Sequence, residues 1–230
     1  MKMNTSKGSY ADLERFAHVC SHDLKEPLRI VANCMQLLCA HNADRFDDTS
    51  MAYVKHILSS LNRMGAMIHN ILNYSKVSSI RDVCCDVDLN EVVNTIKNDF
   101  MFLLEDVDGT IHIDYLPILS ANPTQMYQLF MNLISNAIKY RSQEPLLIHI
   151  SAVDHETMWK LSIKDNGVGI KEEFQEIVFD LFKRLKSTSL HEGSGVGLSI
   201  CKKIVEAHGG NIIVQSNPDG GCEFTLWLPK

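Results

Sequence analysis

DNGVGI, residues 165–170, closes the alternating run TMWKLSIK and sets glycines at 167 and 169, two apart. Alternation of apolar and polar residues is the period of a half-buried strand, so Asp165 stands where a strand ends. Glycines at this spacing let a backbone turn sharply or approach a ligand with no side chain intervening. A carboxylate emerging at the end of a strand can accept a hydrogen bond from an amine such as the exocyclic group of adenine. Further on, GSGVGLSI at 193–200 repeats the glycine spacing and runs into GVGLSICKKIVEAHGG, whose apolar period is that of a helix. Free N–H groups at a helix N-terminus suit phosphate. One box is fitted to a base and the other to a phosphate tail.

Upstream lies PTQMYQLFMNLISNAIKY, a strongly apolar helix that starts at Pro123, a residue tolerated in the first turn. Within it Asn132, Asn136, Lys139 and Tyr140 recur at spacings of three and four and share a polar face. An amide oxygen is an acceptable ligand for Mg²⁺ and a lysine neutralises phosphate charge, so this face is read as turned toward a nucleotide. Around it, VCCDVDLNEVV reads as an extended entry into a helix of about residues 88–105, and TIHIDYLP alternates like a strand. LLIHISAV and TMWKLSIKD are two strands with a turn at Asp154, His155 and Glu156, and NIIVQS and CEFTLWLP are two more. Residues 83–230 are thus expected to form a mixed layer of about five strands covered by about three helices.

Residues 1–82 read differently. Leu13, Phe16, Ala17, Cys20, Leu24, Leu28, Val31, Met35 and Leu38 predict one helix over about 10–41. Met51, Val54, Ile57, Leu58, Leu61, Met64, Met67, Ile68, Ile71 and Leu72 predict a second over about 48–80, with N-caps offered by the intervening HNADRFDDTS. A hairpin buries only one face of each helix, and these stripes are wide, so two copies are expected to form a dimeric four-helix bundle. The alternative is a hairpin packed on the rest of its own chain.

Composition excludes several classes. Lys and Arg total 22 against 28 Asp and Glu, a net charge of −6 over 230 residues, which offers no footprint for nucleic acid. No leader is evident at the start, and no apolar run approaches the roughly 20 residues that span a bilayer. The seven cysteines are odd in number and contain no CxxC pair, arguing against a disulfide framework or zinc site and for a cytoplasmic setting.

In this order and spacing, NLISNAIKY, DNGVGI, FDLF at 179–182, GSGVGLSI and GCEFTLWLP resemble the ATP-binding domain of sensor histidine kinases, with its N box, glycine boxes and phenylalanine box. SHDLKEPL, residues 21–28, resembles the phosphoacceptor box of the same family, close to the variant of phytochrome-like kinases. The likeness runs from about residue 10 to residue 229. It implies an all-α dimerisation and phosphotransfer hairpin followed by an α/β sandwich of the Bergerat type. It also implies that His22 takes the γ-phosphoryl group of ATP and that Asp23 orients its ring. Neutral imidazole, with a pKa of about 6.5, is a competent nucleophile at neutral pH, and a carboxylate on one nitrogen fixes the tautomer that frees the other.

The same resemblance assigns Asn136 to Mg²⁺ with Asn132 beside it, Lys139 and Tyr140 to phosphate and base, and Asp165 to adenine. Gly167, Gly169 and Ile170 complete that box. Gly193, Gly195 and Gly197 hinge a lid over the triphosphate, with Ser194, Val196 and Leu198 among them; Phe179 and Phe182 pack its root, and Arg184 stands near the γ-phosphate. The expected partners are a second copy, a response-regulator receiver domain that accepts the phosphoryl group on an aspartate, and an N-terminal sensor domain outside this stretch. A reading of a different kind is a degenerate kinase serving as a dimeric scaffold.

Four positions depart from or sharpen the pattern. Gyrase-type and chaperone ATPases with this fold need a carboxylate one turn before the metal-binding asparagine, and here that place is Asn132, an amide that cannot act as a general base. Asn122 replaces an aspartate common before the N-box helix and remains able to cap it. Glu26, four residues after His22, stands where many relatives carry Thr or Asn, so phosphatase activity is not implied. Pro27 cannot donate to the carbonyl of Asp23 and should bend the helix beside the nucleophile. Pro27→Ala is therefore expected to change the autophosphorylation rate or its response to an attached sensor; a variant matching the parent in both removes a gating role for the bend.

Overall fold

A computed structural model describes residues 6–42, 45–77, 84–183, 185, 195–217 and 220–230. The chain divides into two compact units that part between Lys76 and Val77.

The first unit is a helical hairpin of α1 (Ser6–His41) and α2 (Asp48–Lys76). Asp47 caps α2, its Oδ1 accepting from the Ser50 N–H at 2.8 Å. Along α2, Val54, Leu61 and Leu72 are buried and Leu58 and Ile68 half-buried, a four–three–four rhythm. Leu28, Ala32, Met35 and Cys39 keep the same rhythm on α1 and are half-buried. This is the spacing of a coiled-coil seam. A second stripe stays open to solvent: Leu24, Val31 and Leu38 recur every seven residues on α1, as do Ile57, Met64 and Ile71 on α2. α1 continues through Pro27, and Glu26 Oε1 meets Arg29 Nη2 at 2.9 Å on its exposed surface. α2 ends at Lys76, short of the expected 80, and residues 78–83 lie outside the described residues.

The second unit opens with β1 (Cys85–Asp88), α3 (Leu89–Asp99), α4 (Met101–Glu105), β2 (Thr110–Ile113) and β3 (Ile118–Ala121). It continues through α5 (Pro123–Lys139), β4 (Leu147–His155), β5 (Met158–Asp165) and 3-10 turns at Glu172–Phe174 and Ile177–Phe179. It closes with α6 (Gly197–Ala207), β6 (Asn211–Ser216) and β7 (Cys222–Pro229). A five-stranded sheet runs β2-β4-β5-β7-β6, with β2 and β4 parallel and the other pairs antiparallel. Register aligns Ile113, Ile150, Ile163, Phe224 and Val214 across it, and all but the half-buried Ile113 are buried. The next row places Ile111, Ile148 and Asp165 side by side, which puts a carboxylate on the core face. Buried side chains of α3, α5 and α6 supply the rest of the core, Phe130 and Leu129 at its centre.

Four expectations need correction. The helix over 88–105 is broken at Phe100, whose φ of −95° and ψ of 5° leave the helical region although its N–H still reaches Ile96 O at 3.1 Å. The break splits off the five-residue α4, and α3, α5 and α6 are the longer helices of the expected three. TIHIDYLP is strand only over Thr110–Ile113, because Asn90 clamps the following loop: its Nδ2 donates to Leu116 O and its Oδ1 accepts from Leu116 N. The released chain forms β3, which pairs with β1 in a separate two-stranded ladder that adds to the expected five strands. Finally, Asp154 and His155 belong to β4; the hairpin turns at Glu156, with φ of 37°, and Thr157.

The helix layer is the weakest place to remove volume. Phe130→Ala, at a fully buried position, should cost about 3–5 kcal/mol in the denaturant unfolding of this unit.

Candidate nucleotide site

Asp165 ends β5 with 8% of its surface exposed. Its Oδ1 accepts from Gly167 N at 2.8 Å and from Cys222 N at 3.2 Å. Burial pushes its pKa above the ordinary carboxylate value, and the two backbone N–H groups pull it back in part. Among the described residues no hydrogen bond reaches Oδ2. The site therefore holds a carboxylate by one oxygen and leaves the other as an acceptor.

The loop after it leaves no room for side chains. A Cβ at Gly167 would lie 2.5 Å from Tyr140 O, and that same carbonyl accepts from Val168 N at 3.0 Å. A Cβ at Gly221 would lie 1.9 Å from Asp165 O, and Gly221 has φ of 82°. Asn166 serves the fold, its side chain accepting from Leu147 N and donating to Pro145 O, each at 2.8 Å.

Along α5, Asn132 Nδ2 donates to Gly197 O at 3.4 Å, joining the N box to the first residue of α6. Asn136, one turn on, is half-buried and its side chain takes part in no hydrogen bond among the described residues. Lys139 Nζ lies 4.9 Å from the centre of the Tyr140 ring. The eight steps from residue 132 to residue 140 rise about 12 Å, so one helix face carries a glycine box at each end. Val196 precedes α6 without a side-chain cap, and Gly195 has φ of 71°. First-turn N–H groups of α6 thus lack the side-chain acceptor that usually satisfies them.

Of the residues singled out from sequence, Asn132, Asn136, Lys139, Tyr140, Asp165, Gly167, Gly169, Ile170, Gly195, Val196, Gly197 and Leu198 lie in this unit, tied together by the contacts above or by chain adjacency. Arg184, Gly193 and Ser194 lie outside the described residues. His22 and Asp23 fall within α1, and their side chains lie outside the described ones. Phe179 is buried, whereas Phe182 is half exposed with φ of 64°. Sequence reasoning counted Gly221 and Cys222 within the motif GCEFTLWLP but gave them no role at the site, although a glycine pair abutting a strand signals a close approach. Cys201 and Cys222 are buried, and burial pushes both thiols up to about 12, Asp165 adding its charge at Cys222. Both stay protonated at neutral pH.

The residues fit a purine nucleotide: an acceptor oxygen on a nearly buried carboxylate, glycine backbone at close approach, and uncapped helical N–H groups. For Mg²⁺, Asn136 offers one hard oxygen, and no group of three or more His, Cys, Asp or Glu able to hold a metal occurs among the described residues. That suits a metal whose shell is completed by phosphates and water.

Comparison with known proteins agrees. Residues 121–230 match the family described as histidine kinase-, DNA gyrase B-, and HSP90-like ATPase, and residues 12–80 match the His Kinase A (phospho-acceptor) domain. The chain is 38% identical over 221 residues to cyanobacterial phytochrome A of Nostoc sp., covering 96% of this chain and 29% of that relative. It thus spans less than a third of the relative's length. A catalytic domain of the histidine kinase ThkA is 28% identical with a TM-score of 0.56, covering 64% of this chain and 96% of that one. ThkA in complex with the response regulator TrrA shares the fold, with a TM-score of 0.65 at 23% identity over 99% of this chain and 67% of that one. The ATPase family is shared by enzymes of several kinds, and the phosphoacceptor domain ahead of it on the same chain decides among them: this chain belongs to the sensor histidine kinases.

Proposed function

We propose that the chain is a kinase core that phosphorylates its own His22 from Mg²⁺-ATP and passes the phosphoryl group to an aspartate of a response-regulator receiver domain. The observation that carries the reading is the buried Asp165 carboxylate with Oδ2 open to an amine. Asp165 accepts from the adenine amine, Gly167, Gly169 and Ile170 bound the base, and Lys139 and Tyr140 flank it. Asn136 offers its amide oxygen to Mg²⁺, which offsets phosphate charge when bound. The N-terminus of α6, through Gly195, Val196, Gly197 and Leu198, faces the phosphates; Gly193, Ser194 and Arg184 are assigned there from sequence alone.

Transfer is favoured over hydrolysis by Asn132. Its amide is no base, and it is engaged with Gly197 O, so no carboxylate stands ready to activate water at that place. An imidazole nitrogen of His22 attacks the γ-phosphorus, the bond to the bridging oxygen breaks, ADP leaves with that electron pair, and Asp23 holds the remaining ring N–H. The open second stripe on α1 and α2 supports a homodimer through residues 1–82, with residues 83–230 as the ATP-binding domain. ThkA, solved with a response regulator, supports a receiver domain as partner. No helix among the described residues is long and apolar enough to cross a membrane, and a cytoplasmic core with its sensor elsewhere in a longer protein is the setting we infer.

With γ-labelled ATP and Mg²⁺, the chain should take up acid-labile label that His22→Gln abolishes; label persisting on the variant removes the assignment. Asp165→Asn keeps the Oδ1 acceptor and sheds the buried charge. Because the folded-state pKa is raised, the stability linked to this group is full below the unfolded value and lost as pH rises through the folded one. In melts from about pH 4 to about pH 8, Asp165→Asn should therefore gain on the parent with rising pH. Its affinity for ATP should drop about tenfold or more, since a hydrogen bond to a charged acceptor is lost. Parent affinity should fall on acidification through the same range, and the variant's should not.

A further inference from the structure

Segment 165–170 is gripped at both ends by one rung of the sheet. Ser216, the last residue of β6, pairs in register with Cys222, the first of β7. The Cys222 N–H donates to Asp165 Oδ1 at 3.2 Å. Across the rung, Ser216 Oγ accepts from Ile170 N at 2.7 Å and donates to Ile170 O. Between these grips the segment lies flat on the β6–β7 turn: a Cβ at Gly169 would meet Gly221 O at 3.3 Å and Ser216 Oγ at 3.4 Å. Among the described residues, the stretch that Ile170 leads into holds no regular strand or α-helix before α6, so nothing in its own secondary structure fixes its backbone. A hydroxyl that both accepts from and donates to one residue satisfies both of that residue's backbone groups, as a ladder partner would.

We infer that Ser216 is a positioning residue for base recognition: its hydroxyl holds the far end of the 165–170 segment so that Asp165 Oδ2 keeps its aim at the adenine amine. This rests on the reading of Asp165 as the residue that meets the base. Ser216 touches neither nucleotide nor His22 in this role and acts through the loop. Its loss should weaken binding and blur the choice of base, while the rate at saturating ATP depends on groups elsewhere.

The test compares Ser216→Thr, which keeps a hydroxyl, with Ser216→Val, which has the same shape without one; the position is solvent-exposed. Full-length chain is titrated with ATP and with GTP, autophosphorylation is measured for KM and kcat, and melting is followed without nucleotide. Ser216→Val should raise the ATP Kd and KM about five- to tenfold and shrink the ATP-over-GTP preference, with kcat and Ser216→Thr within about twofold of the parent. Equal Kd and equal base preference for the Thr and Val variants overturns the inference, as does a fall in kcat with Kd unchanged. Should Val lower the melting midpoint, Ser216→Ala repeats the comparison without added bulk. Asp165→Asn separates the two claims. If it leaves the ATP-over-GTP preference intact, the reading of Asp165 itself falls; if it abolishes the preference while Ser216→Val retains it, the Ser216 role alone falls.

Discussion

A carboxylate on the core face of a sheet is tolerated only when donors reach it, because an unpaired buried charge costs several kcal/mol. Asp165 continues the row of Ile111 and Ile148, and its donors are both backbone, Gly167 N and Cys222 N. Backbone donors reach a side chain this way only where neighbouring chains come very close. Gly167 and Gly221 are the places where that approach leaves no volume for a Cβ. β7 must then lie beside β5, the turn after Asp165 must be tight, and α5 must end where Tyr140 O can take the Val168 N–H. The sheet order, the two glycines and the length of α5 all answer one need.

Much of this was legible in the residues because it is local. The periods of α5 and α6, the alternation of β5 and β7 and the glycine boxes are repeats over a few positions, and each element lies close to where its pattern put it. What escaped depends on contacts distant in sequence. Phe100 ends a helix with no proline or glycine to announce it, and β3 is four residues long and pairs only with β1. Ser216 and Ile170 stand 46 residues apart, and nothing in either neighbourhood names the other. Glu156 takes a positive φ that a glycine would have advertised. At the site, residue types were readable, whereas the engagement of Asn132 with Gly197 O required the packing of α5 on α6.

The helical hairpin shows a different economy. Its inner seam mixes Leu28, Met35, Leu61 and Leu72 with the smaller Ala32 and Cys39, while side chains as large or larger, Leu24, Leu38 and Tyr53 among them, stand exposed. A hairpin meant to stand alone would spend its bulk inside. Sequence periodicity reported one wide stripe; only the structure divides it into a seam used within the chain and another that stays open to solvent.

The strand order also governs when this protein becomes competent as it is made. β7 sits between β5 and β6, yet it follows both in the chain. While the ribosome is still short of residue 222, β5 has an open edge, β6 has no partner and Asp165 lacks its second donor. The glycine boxes and the asparagine helix are by then already translated. A chain that ends short of residue 222 therefore carries the glycine boxes and the α5 asparagines without the Cys222 N–H that helps to fix Asp165. Formation of β7 is thus a condition for the arrangement around Asp165, written into the topology rather than into any single residue.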